Sequence, residues 1–414
     1  MLTRRKLLNG LAAGASLGLG GAAMPGVARA TSSTLFGSSK LRNIHIVLEE
    51  SFWDPTPLTA TTLGESPIDP RFQALWAQSG FTRALSPAFA GQTANAEFEI
   101  LCGFPLDRAS VKFEEGFNDH IPALPHLLKA IGYRTVASHP NSPGFWNRQV
   151  AYQKLGFETF WALPDFTQDD MAGPFLSDKS LHAQVGEKLA ASDDGRPVLD
   201  YTVTFYGHWA YDASAFRPAV LDAKSQVDEV NAYVNTVHYK SKEMMDALAH
   251  IQASDPDSIV ILFGDHLPIL GQRFAGYVES GFLAPTFGEF TNDMYARSTA
   301  TPLVVIDGQK GPLKLGNMPM YRLGRVLLDL IAYDRPSMLD LALPPSQNLK
   351  DTVLRPLPGV VVSYHPEGLD QARVTRPDQP TDQDAEIVAW LQDVKLIAAD
   401  IFDGRKYALK TLSI

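Results

Sequence analysis

The segment from Ser258 to Phe263 constrains the fold more than any other part of the chain, because it is nearly all apolar. Such a strand must be covered on both faces, as happens in parallel sheets flanked by helices. Further strand-like segments alternate with helix-like stretches; the clearest are Asn43 to Glu49, Tyr133 to Ser138, Val198 to Phe205 and Pro302 to Asp307. This alternation predicts an α/β fold with a mostly parallel central sheet flanked by helices on both faces.

The predicted strands are followed by polar side chains. Glu50 follows the first strand, His139 the second and His208 the third, and Asp265 and His266 follow the apolar strand. In open α/β sheets, ligands bind beyond the carboxyl ends of the strands. Adjacent Asp and His side chains at such a place suit a divalent cation, although the aspartate could instead only orient its neighbour.

The sequence places the two acidic residues at the end of the first predicted strand differently. Glu50 is placed for a role at the strand end, although an ordinary surface carboxylate is an equally simple interpretation. Glu49 could face either side of the sheet. Carboxylate and imidazole groups together suit Mn²⁺, Mg²⁺ or Zn²⁺.

Thr93 lies where an apolar-rich segment meets a helix-compatible run, Ala94 to Leu101. The free N–H groups at the start of a helix favour an anion such as a phosphoryl group. Glu97 and Glu99 are expected in the first turns of this helix, where its dipole favours carboxylates. The alternative is that Thr93 only caps the helix. A divalent metal bound to its hydroxyl would lower the pKa of that group and polarise a phosphoryl oxygen.

More polar groups follow the second predicted strand. Arg148 suits a bidentate contact with phosphate, and Trp146 suits packing against a ligand, with core packing as its alternative. The remaining histidines show no comparable setting. Five of them lie on or near predicted helices and are expected to be surface or packing residues: His120, His126, His182, His238 and His250.

With these residues assembled, the chain resembles the extracellular catalytic domain of the lipoteichoic acid synthase family, within the alkaline phosphatase and sulfatase superfamily. The matching pieces lie within residues 41–333 and are Leu48 to Ser51, Gly91 to Phe98, His139 to Arg148, Leu155 to Phe157, Gly207-His208 and Gly264 to His266. The resemblance implies one divalent metal ion, with Mn²⁺ as the first choice, held by Glu50, Thr93, Asp265 and His266. It also implies that Thr93 is the nucleophile and that phosphoglycerol is bound by His139, Asn141, Trp146, Arg148 and His208.

Two features depart from the family pattern. Asn141 stands where the synthases have an acidic glycerol contact, and Leu270 stands where they have a serine contact. The synthases also carry several N-terminal membrane helices, whereas this chain has a twin-arginine pattern in their place. These departures leave the metal chemistry unchanged and bear on the identity of the head group.

The N-terminus carries the pattern of a twin-arginine signal peptide, with a short membrane anchor as the alternative. Thr3 to Leu8 contains the paired arginines, and Ala28-Arg29-Ala30 supplies a cleavage site. We therefore expect residues 1–30 to be a signal read by the twin-arginine export machinery, and residues 31–40 to be a linker. The mature chain has no other long apolar stretch, which predicts a soluble periplasmic protein without a transmembrane segment.

Charge and cysteine content exclude several functions and features. Removal of the predicted signal takes away four basic residues and no acidic ones, so the formal net charge goes from −10 to −14. Such an acidic protein is not expected to bind nucleic acid. The single cysteine, Cys102, excludes an internal disulfide and any multi-cysteine metal site. It also lies too far from Thr93, with Pro105 one position late, to match the formylglycine motif of sulfatases.

These observations predict an exported, metal-dependent phosphoglycerol transferase that acts through a phospho-threonine. The donor would be a phospholipid head group or another phosphoglycerol ester, and the acceptor a glycan hydroxyl. The alternatives are a phosphodiesterase or phosphatase, a phosphoethanolamine transferase, a sulfuric ester hydrolase, or a degenerate glycan-binding scaffold.

For domain organisation, we expect a catalytic domain at residues 41–333 and a C-terminal subregion at residues 334–414 that packs on it. The segment from Asp334 to Leu357 is rich in proline and is predicted to be irregular. A late strand is expected from Gly359 to Tyr364 and a terminal helix from Ala385 to Phe402.

Overall fold

The computed structural model describes residues 41–61, 63–211, 217–344, 349 and 352–412. The predicted signal peptide and linker, residues 1–40, lie outside the described residues. No helix in the described ranges combines the length and apolar character that a membrane crossing requires.

Fourteen strands are numbered in chain order. They are β1 (Ile44–Glu49), β2 (Arg83–Leu85), β3 (Arg134–Ser138), β4 (Thr159–Trp161), β5 (Met171–Ala172), β6 (Phe175–Leu176), β7 (Val198–Val203), β8 (Ile259–Gly264), β9 (Ala300–Asp307), β10 (Gly311–Pro312), β11 (Asn317–Pro319), β12 (Val353–Leu357), β13 (Val360–His365) and β14 (Gly368–Thr375). The described residues thus confirm each of the predicted strands to within two residues at either end.

Twelve α-helices of the described residues are numbered in the same way. They are α1 (Pro70–Gln78), α2 (Thr93–Cys102), α3 (Lys112–Glu115), α4 (Leu124–Ala130), α5 (Arg148–Leu155), α6 (Asp178–Ala191), α7 (Asp228–Ser254), α8 (Ala275–Glu279), α9 (Asn292–Arg297), α10 (Met320–Leu330), α11 (Ala385–Phe402) and α12 (Tyr407–Lys410). The predicted terminal helix is confirmed as α11, and the short α12 follows it.

The central sheet has nine strands in the order β11-β2-β9-β8-β1-β7-β3-β4, with β10 paired to β9. Neighbouring strands from β8 to β4 are parallel, whereas β9 is antiparallel to both β8 and β2. The predicted α/β fold with a mostly parallel sheet is therefore confirmed. The five parallel neighbours bring their carboxyl ends to one edge of the sheet.

Helices cover both faces of this sheet. Val47 of β1 packs in the same apolar cluster as Val230 and Met244 of α7, so α7 lies on that face. Ile46 points to the other face, as does its register partner Tyr201, because side chains alternate along a strand. The Tyr201 ring lies 6.3 Å from that of Tyr152 in α5, which places α5 on the face opposite α7.

A smaller antiparallel sheet, β12-β13-β14, forms the C-terminal part of the chain. Val353 and Val362 of this sheet pack in one apolar cluster with Leu85 of β2 and Ala300 of β9. The predicted smaller C-terminal subregion is thus present. The prediction that residues 334–357 are irregular was wrong for β12, because Pro356 fits a strand that pairs on only one side.

Candidate active site

Three side chains that the sequence placed at strand ends are neighbours in the structure. Glu50 comes directly after β1, and Asp265 and His266 come directly after β8, the parallel neighbour of β1. The two strand exits pass close together, since a Cβ atom on Gly264 would lie 1.9 Å from the carbonyl oxygen of Phe52. Residue 264 must therefore be a glycine, because the backbone segments that follow β1 and β8 pass too close together for a side chain.

Glu50, Asp265 and His266 form a buried group whose ligand atoms all lie within 4.8 Å of one another. His266 Nε2 lies 3.2 Å from Asp265 Oδ2 and 3.6 Å from Glu50 Oε1. Burial raises the pKa of Asp265 to about 6; the neighbouring His266 opposes this shift and Glu50 adds to it. Two buried carboxylates held so close together favour a cation between them.

The hydrogen bonds around Asp265 and His266 leave one buried atom of each side chain free to bind a metal. Asp265 Oδ1 accepts from the backbone N–H groups of Ser51, at 2.7 Å, and His266, at 2.8 Å, whereas Oδ2 has no hydrogen-bond partner. His266 Nδ1 lies 3.0 Å from the carbonyl oxygen of Leu267 and donates to it, so in the neutral imidazole Nε2 is the nitrogen that carries the lone pair. Nε2 is also without a hydrogen-bond partner. These two buried atoms and Glu50 fit a divalent cation.

Thr93 joins this group from the start of α2. Its hydroxyl donates to Glu50 Oε2 over 3.0 Å, and the same hydroxyl also lowers the pKa of Asp265. The chain reaches α2 through a strained turn in which Ala90, Gly91 and Gln92 have φ values of 58°, 132° and 64°. Such strain at a buried site is often stored for function, and here it aims a hydroxyl between two carboxylates.

The capping alternative for Thr93 is not what the structure shows. Gln92 occupies the cap position and makes no side-chain capping bond, and Thr93 is already the first residue of the helix. Glu97 and Glu99 lie in the second turn of α2, beyond the first turn, where the helix dipole acts most strongly. Both are fully buried and pair with arginines, so their positions follow from ion pairing and not from the helix dipole.

His139 follows β3 at the same edge of the sheet. Its Nδ1 lies 3.1 Å from the carbonyl oxygen of Val203 and donates to it, which leaves Nε2 buried and without a partner. Burial holds the pKa of His139 well below its usual value, and the nearby Arg148 and His208 lower it further. The imidazole is therefore neutral, with Nε2 able to accept a proton or a hydrogen bond.

Arg148, Trp146 and Asn141 lie on the segment between β3 and α5. Arg148 is buried and forms an ion pair of 2.7 Å with Glu97. Trp146 is half-buried, with a φ of 54° and its ring 5.1 Å from that of Phe145. Asn141 is also half-buried, and its side chain accepts from the N–H of Ser142.

His208 lies on the loop after β7 and is only partly buried. Its ring lies 5.2 Å from that of Phe205 and 5.9 Å from that of Phe175. The next residue, Trp209, exposes 49% of its surface. An exposed indole beside a partly buried imidazole forms a rim with both apolar and polar character.

Sequence reasoning missed a second polar cluster on the α7 face of the sheet. Lys240 of α7 is buried and contacts Glu49 at 2.8 Å and Asp178 at 2.7 Å. His182, expected to be a surface or packing residue, lies with Nε2 3.8 Å from Glu49 Oε1. One signal was available, because Lys240 stands in line with the apolar stripe of α7, three residues after Val237.

Cys102 closes the opposite end of α2 and is fully buried. Burial raises the pKa of its thiol well above the usual value. A thiol in such surroundings is inert.

Comparison with known proteins agrees with this architecture. A sequence model of the family described as Sulfatase matches residues 42–314, a range that contains every strand from β1 to β10 and every candidate site residue. The chain belongs to the sulfatase family.

Curated relatives of this sulfatase-family chain fall into two kinds. It is 31% identical over 305 residues to the "Putative cyclic beta-1,2-glucan modification protein" of Rhizobium meliloti (strain 1021), a match that covers 71% of this chain and 46% of the relative. It is 23% identical over 289 residues to lipoteichoic acid synthase 1 of Bacillus subtilis (strain 168), covering 67% of this chain and 43% of the relative. The chain therefore spans less than half the length of these two relatives.

Solved structures show the same fold at low sequence identity. The lipoteichoic acid synthase LtaP from Listeria monocytogenes aligns with a TM-score of 0.66 and 19% identity, covering 91% of this chain and 97% of that one. The phosphoglycerol transferase GacH of Streptococcus pyogenes, in complex with sn-glycerol-1-phosphate, aligns with a TM-score of 0.63 and 20% identity, covering 92% of both chains. The predicted resemblance to lipoteichoic acid synthases is confirmed, and these structures support the fold.

Proposed function

We propose that this protein is a metal-dependent phosphoglycerol transferase in which Thr93 carries the head group between a phosphodiester donor and a glycan hydroxyl. The observation that carries the proposal is the Thr93 hydroxyl, which donates to Glu50 beside the buried Asp265 and His266. A hydroxyl held next to a metal-binding group at the start of a helix has the setting of an activated nucleophile.

The metal would be held by Glu50, Asp265 and His266, with the Thr93 oxygen as a further ligand. Once bound, a divalent cation, with Mn²⁺ as the first choice, supplies Lewis acidity that favours the Thr93 alkoxide and polarises a phosphoryl oxygen. Glu50 accepts the hydrogen bond that fixes the direction of the Thr93 hydroxyl. The backbone N–H groups that bind Asp265 Oδ1 keep Oδ2 directed toward the proposed metal position.

The reaction proceeds in two displacements at phosphorus. In the first, Thr93 Oγ1 bonds to phosphorus, the bond from phosphorus to the donor alcohol breaks, and that alcohol leaves with a proton. In the second, the acceptor hydroxyl bonds to phosphorus, and Thr93 Oγ1 leaves and recovers its proton. Both displacements need the phosphoryl group to be held in one place.

The phosphoglycerol group would be held by His139, Asn141, Trp146, Arg148 and His208. His139 supports this role because its buried Nε2 has no partner and can bond a glycerol hydroxyl. Arg148 places a fixed positive charge near His139 and Glu50, since it lowers the pKa of the first and its own pKa is raised in part by the second. An arginine held by Glu97 is rigid, which favours phosphate binding at low entropic cost.

A glycan acceptor would approach over Trp209. Its exposed indole lies next to His208 and offers a flat apolar face of the kind on which sugar rings pack. The name of the Rhizobium meliloti relative supports a glucan as the acceptor. The GacH structure, solved with sn-glycerol-1-phosphate, supports glycerol phosphate as the transferred group.

The N-terminal pattern supports export through the twin-arginine route, so we place the reaction in the periplasm. A phospholipid donor such as phosphatidylglycerol would then be met at the membrane surface. We retain residues 41–333 as the proposed catalytic domain and residues 334–414 as the proposed C-terminal subregion.

The proposal is tested by incubating the purified protein and Mn²⁺ with phosphatidylglycerol and a cyclic β-glucan, and by following products by mass spectrometry. Transfer produces diacylglycerol together with a glucan that has gained phosphoglycerol. Release of glycerol phosphate without any modified glucan would instead identify a phosphodiesterase, in which water replaces the glycan. A parallel incubation with phosphatidylethanolamine distinguishes phosphoethanolamine transfer.

A further inference from the structure

A buried ammonium group lies behind the metal ligands, on the other face of the sheet. Lys240 Nζ donates to Asp178 Oδ2 at 2.7 Å, to Thr204 Oγ1 at 2.9 Å and to the carbonyl oxygen of Tyr206 at 2.7 Å. Glu49 Oε2 lies 2.8 Å from the same nitrogen. Lys240 exposes 1% of its surface, so all three of its protons are used inside the protein.

Stability alone does not account for a lysine at this position. Its neighbours in the stripe of α7 are apolar, including Val237 and Met244. Replacing Lys240, Glu49 and Asp178 together by apolar residues of similar size would avoid burying three charges, and such joint replacements are often neutral or stabilising. The lysine is therefore better explained by what it holds in place.

Thr204 connects Lys240 with the metal site. Its hydroxyl accepts from Lys240 Nζ and also from the backbone N–H of Glu50, each at 2.9 Å. A hydroxyl has two acceptor positions and one proton, and that proton faces Glu49 Oε2 at 3.3 Å and the carbonyl oxygen of Leu48 at 3.4 Å. Every hydrogen-bonding position of Thr204 is thus filled, and its orientation is determined.

The backbone that follows β7 is held in place as well as the Thr204 hydroxyl is. Lys240 binds the Tyr206 carbonyl, and a Cβ atom on Gly207 would lie 2.7 Å from the carbonyl oxygen of Glu50. The backbone of Glu50 therefore rests against the loop that Lys240 anchors. A shift of Thr204 or of this loop would move the Glu50 backbone and with it the carboxylate.

We propose that Thr204, anchored by Lys240, is a positioning residue that holds Glu50 in the orientation needed to bind the metal. The proposal rests on the metal site given under the proposed function. Neither Thr204 nor Lys240 contacts the metal ligand atoms themselves, so their effect passes through the backbone of Glu50. Partners of this kind typically contribute about 10- to 100-fold to metal affinity.

The experiment measures Mn²⁺ affinity of the full chain by calorimetric titration. Thr204→Val keeps the shape of the side chain but removes the hydroxyl, whereas Thr204→Ser keeps the hydroxyl. Thr202→Val is the matched control, because Thr202 is a buried threonine of β7 whose hydroxyl donates to Asp200 at 3.0 Å and not to the Glu50 segment. Thr204→Val is expected to bind Mn²⁺ about 10- to 100-fold more weakly, while Thr204→Ser and Thr202→Val bind as the wild type does.

Each outcome has a definite meaning. Equal affinity in Thr204→Val and Thr202→Val overturns the positioning role, and so does a loss in Thr204→Ser as large as that in Thr204→Val. If Thr204→Val does not fold, Thr204→Cys replaces it, since a thiol is only a weak acceptor. If the wild type binds no Mn²⁺, the proposed metal site itself is contradicted. That result differs from a failure of the positioning role, in which the wild type and Thr204→Val bind Mn²⁺ equally well.

Discussion

Arg148 and Glu97 form an ion pair of 2.7 Å in which neither side chain exposes more than 1% of its surface. The pair joins α5 to the helix that begins with Thr93. The Tyr152 hydroxyl donates to the same carboxylate. The guanidinium that we propose to bind phosphate is therefore also a structural link between two parts of the candidate active site.

Arg148→Ala is expected to lower the free energy of unfolding by about 3–5 kcal/mol, because it leaves Glu97 buried without its partner. The double variant Arg148→Met with Glu97→Gln removes the charge imbalance and is expected to recover most of this loss. Urea unfolding measures both effects. If Arg148 also binds phosphate, the double variant folds but has little turnover; wild-type turnover in it would contradict that role.

Thr93→Val is expected to lose essentially all turnover while folding like the wild type, because valine keeps the shape but has no hydroxyl. Thr93→Ser keeps the hydroxyl and is expected to retain part of the activity. With a slow donor, mass spectrometry should find a phosphoglycerol adduct on the peptide that contains Thr93. Near-normal turnover in folded Thr93→Val would exclude a covalent role.

Asp265→Asn is expected to reduce bound Mn²⁺ from about one equivalent to a small fraction, since it removes a charged ligand from the site. Asp307→Asn serves as the matched control, because Asp307 is also buried but ends β9 at the opposite end of β8. Metal analysis after dialysis makes the comparison. Full Mn²⁺ occupancy in Asp265→Asn would remove this residue from the ligand set.

His139 should make the folded protein sensitive to acid. Its pKa is lowered by folding, so its contribution to stability is present above about pH 6.5 and declines as the pH falls toward its folded value. Relative to His139→Gln, the metal-free wild type should lose about 1.4 kcal/mol of unfolding free energy per pH unit in that range. Urea unfolding at several pH values tests this, and a constant difference between the two proteins would contradict it.

Trp209→Ala is expected to weaken binding of the glucan acceptor about tenfold or more, with little effect on hydrolysis of a small soluble phosphodiester, because a stacked aromatic contributes mainly to binding. Phe81→Ala is the control, since Phe81 is equally exposed at 49% but follows α1. Affinity electrophoresis in glucan-containing gels compares the two. An equal loss in both variants would point to a general surface effect.

The strand ends were the part of the site that sequence could locate. Glu50, Asp265 and His266 each follow an apolar or β-branched run, and parallel strands must end at a shared edge. Thr93 was found through its position before a helix. Its actual contact, a hydrogen bond to Glu50, joins residues 43 positions apart and has no local signal.

The pairing of buried charges could not be predicted in the same way. Glu97 and Glu99 are two residues apart on α2, yet they pair with Arg148 and Arg355 in distant parts of the chain. Which arginine reaches which carboxylate depends on how α5 and β12 pack against α2. Helix propensity and the helix dipole contribute little free energy compared with the cost of burying an unpaired charge.

The sequence by itself determined the alternation of strands and helices, the edge at which polar groups gather and the set of residue types that meet there. Only the tertiary structure decided the roles of Glu49 and Glu50. Successive residues of a strand point to opposite faces, but which helices cover each face is settled by packing. Lys240 of α7 meets Glu49 on one face, while Thr93 of α2 meets Glu50 next to Asp265 and His266. The physical reason is that a buried charge is stable only beside its partner, and partners distant in sequence come together only when the whole sheet is assembled.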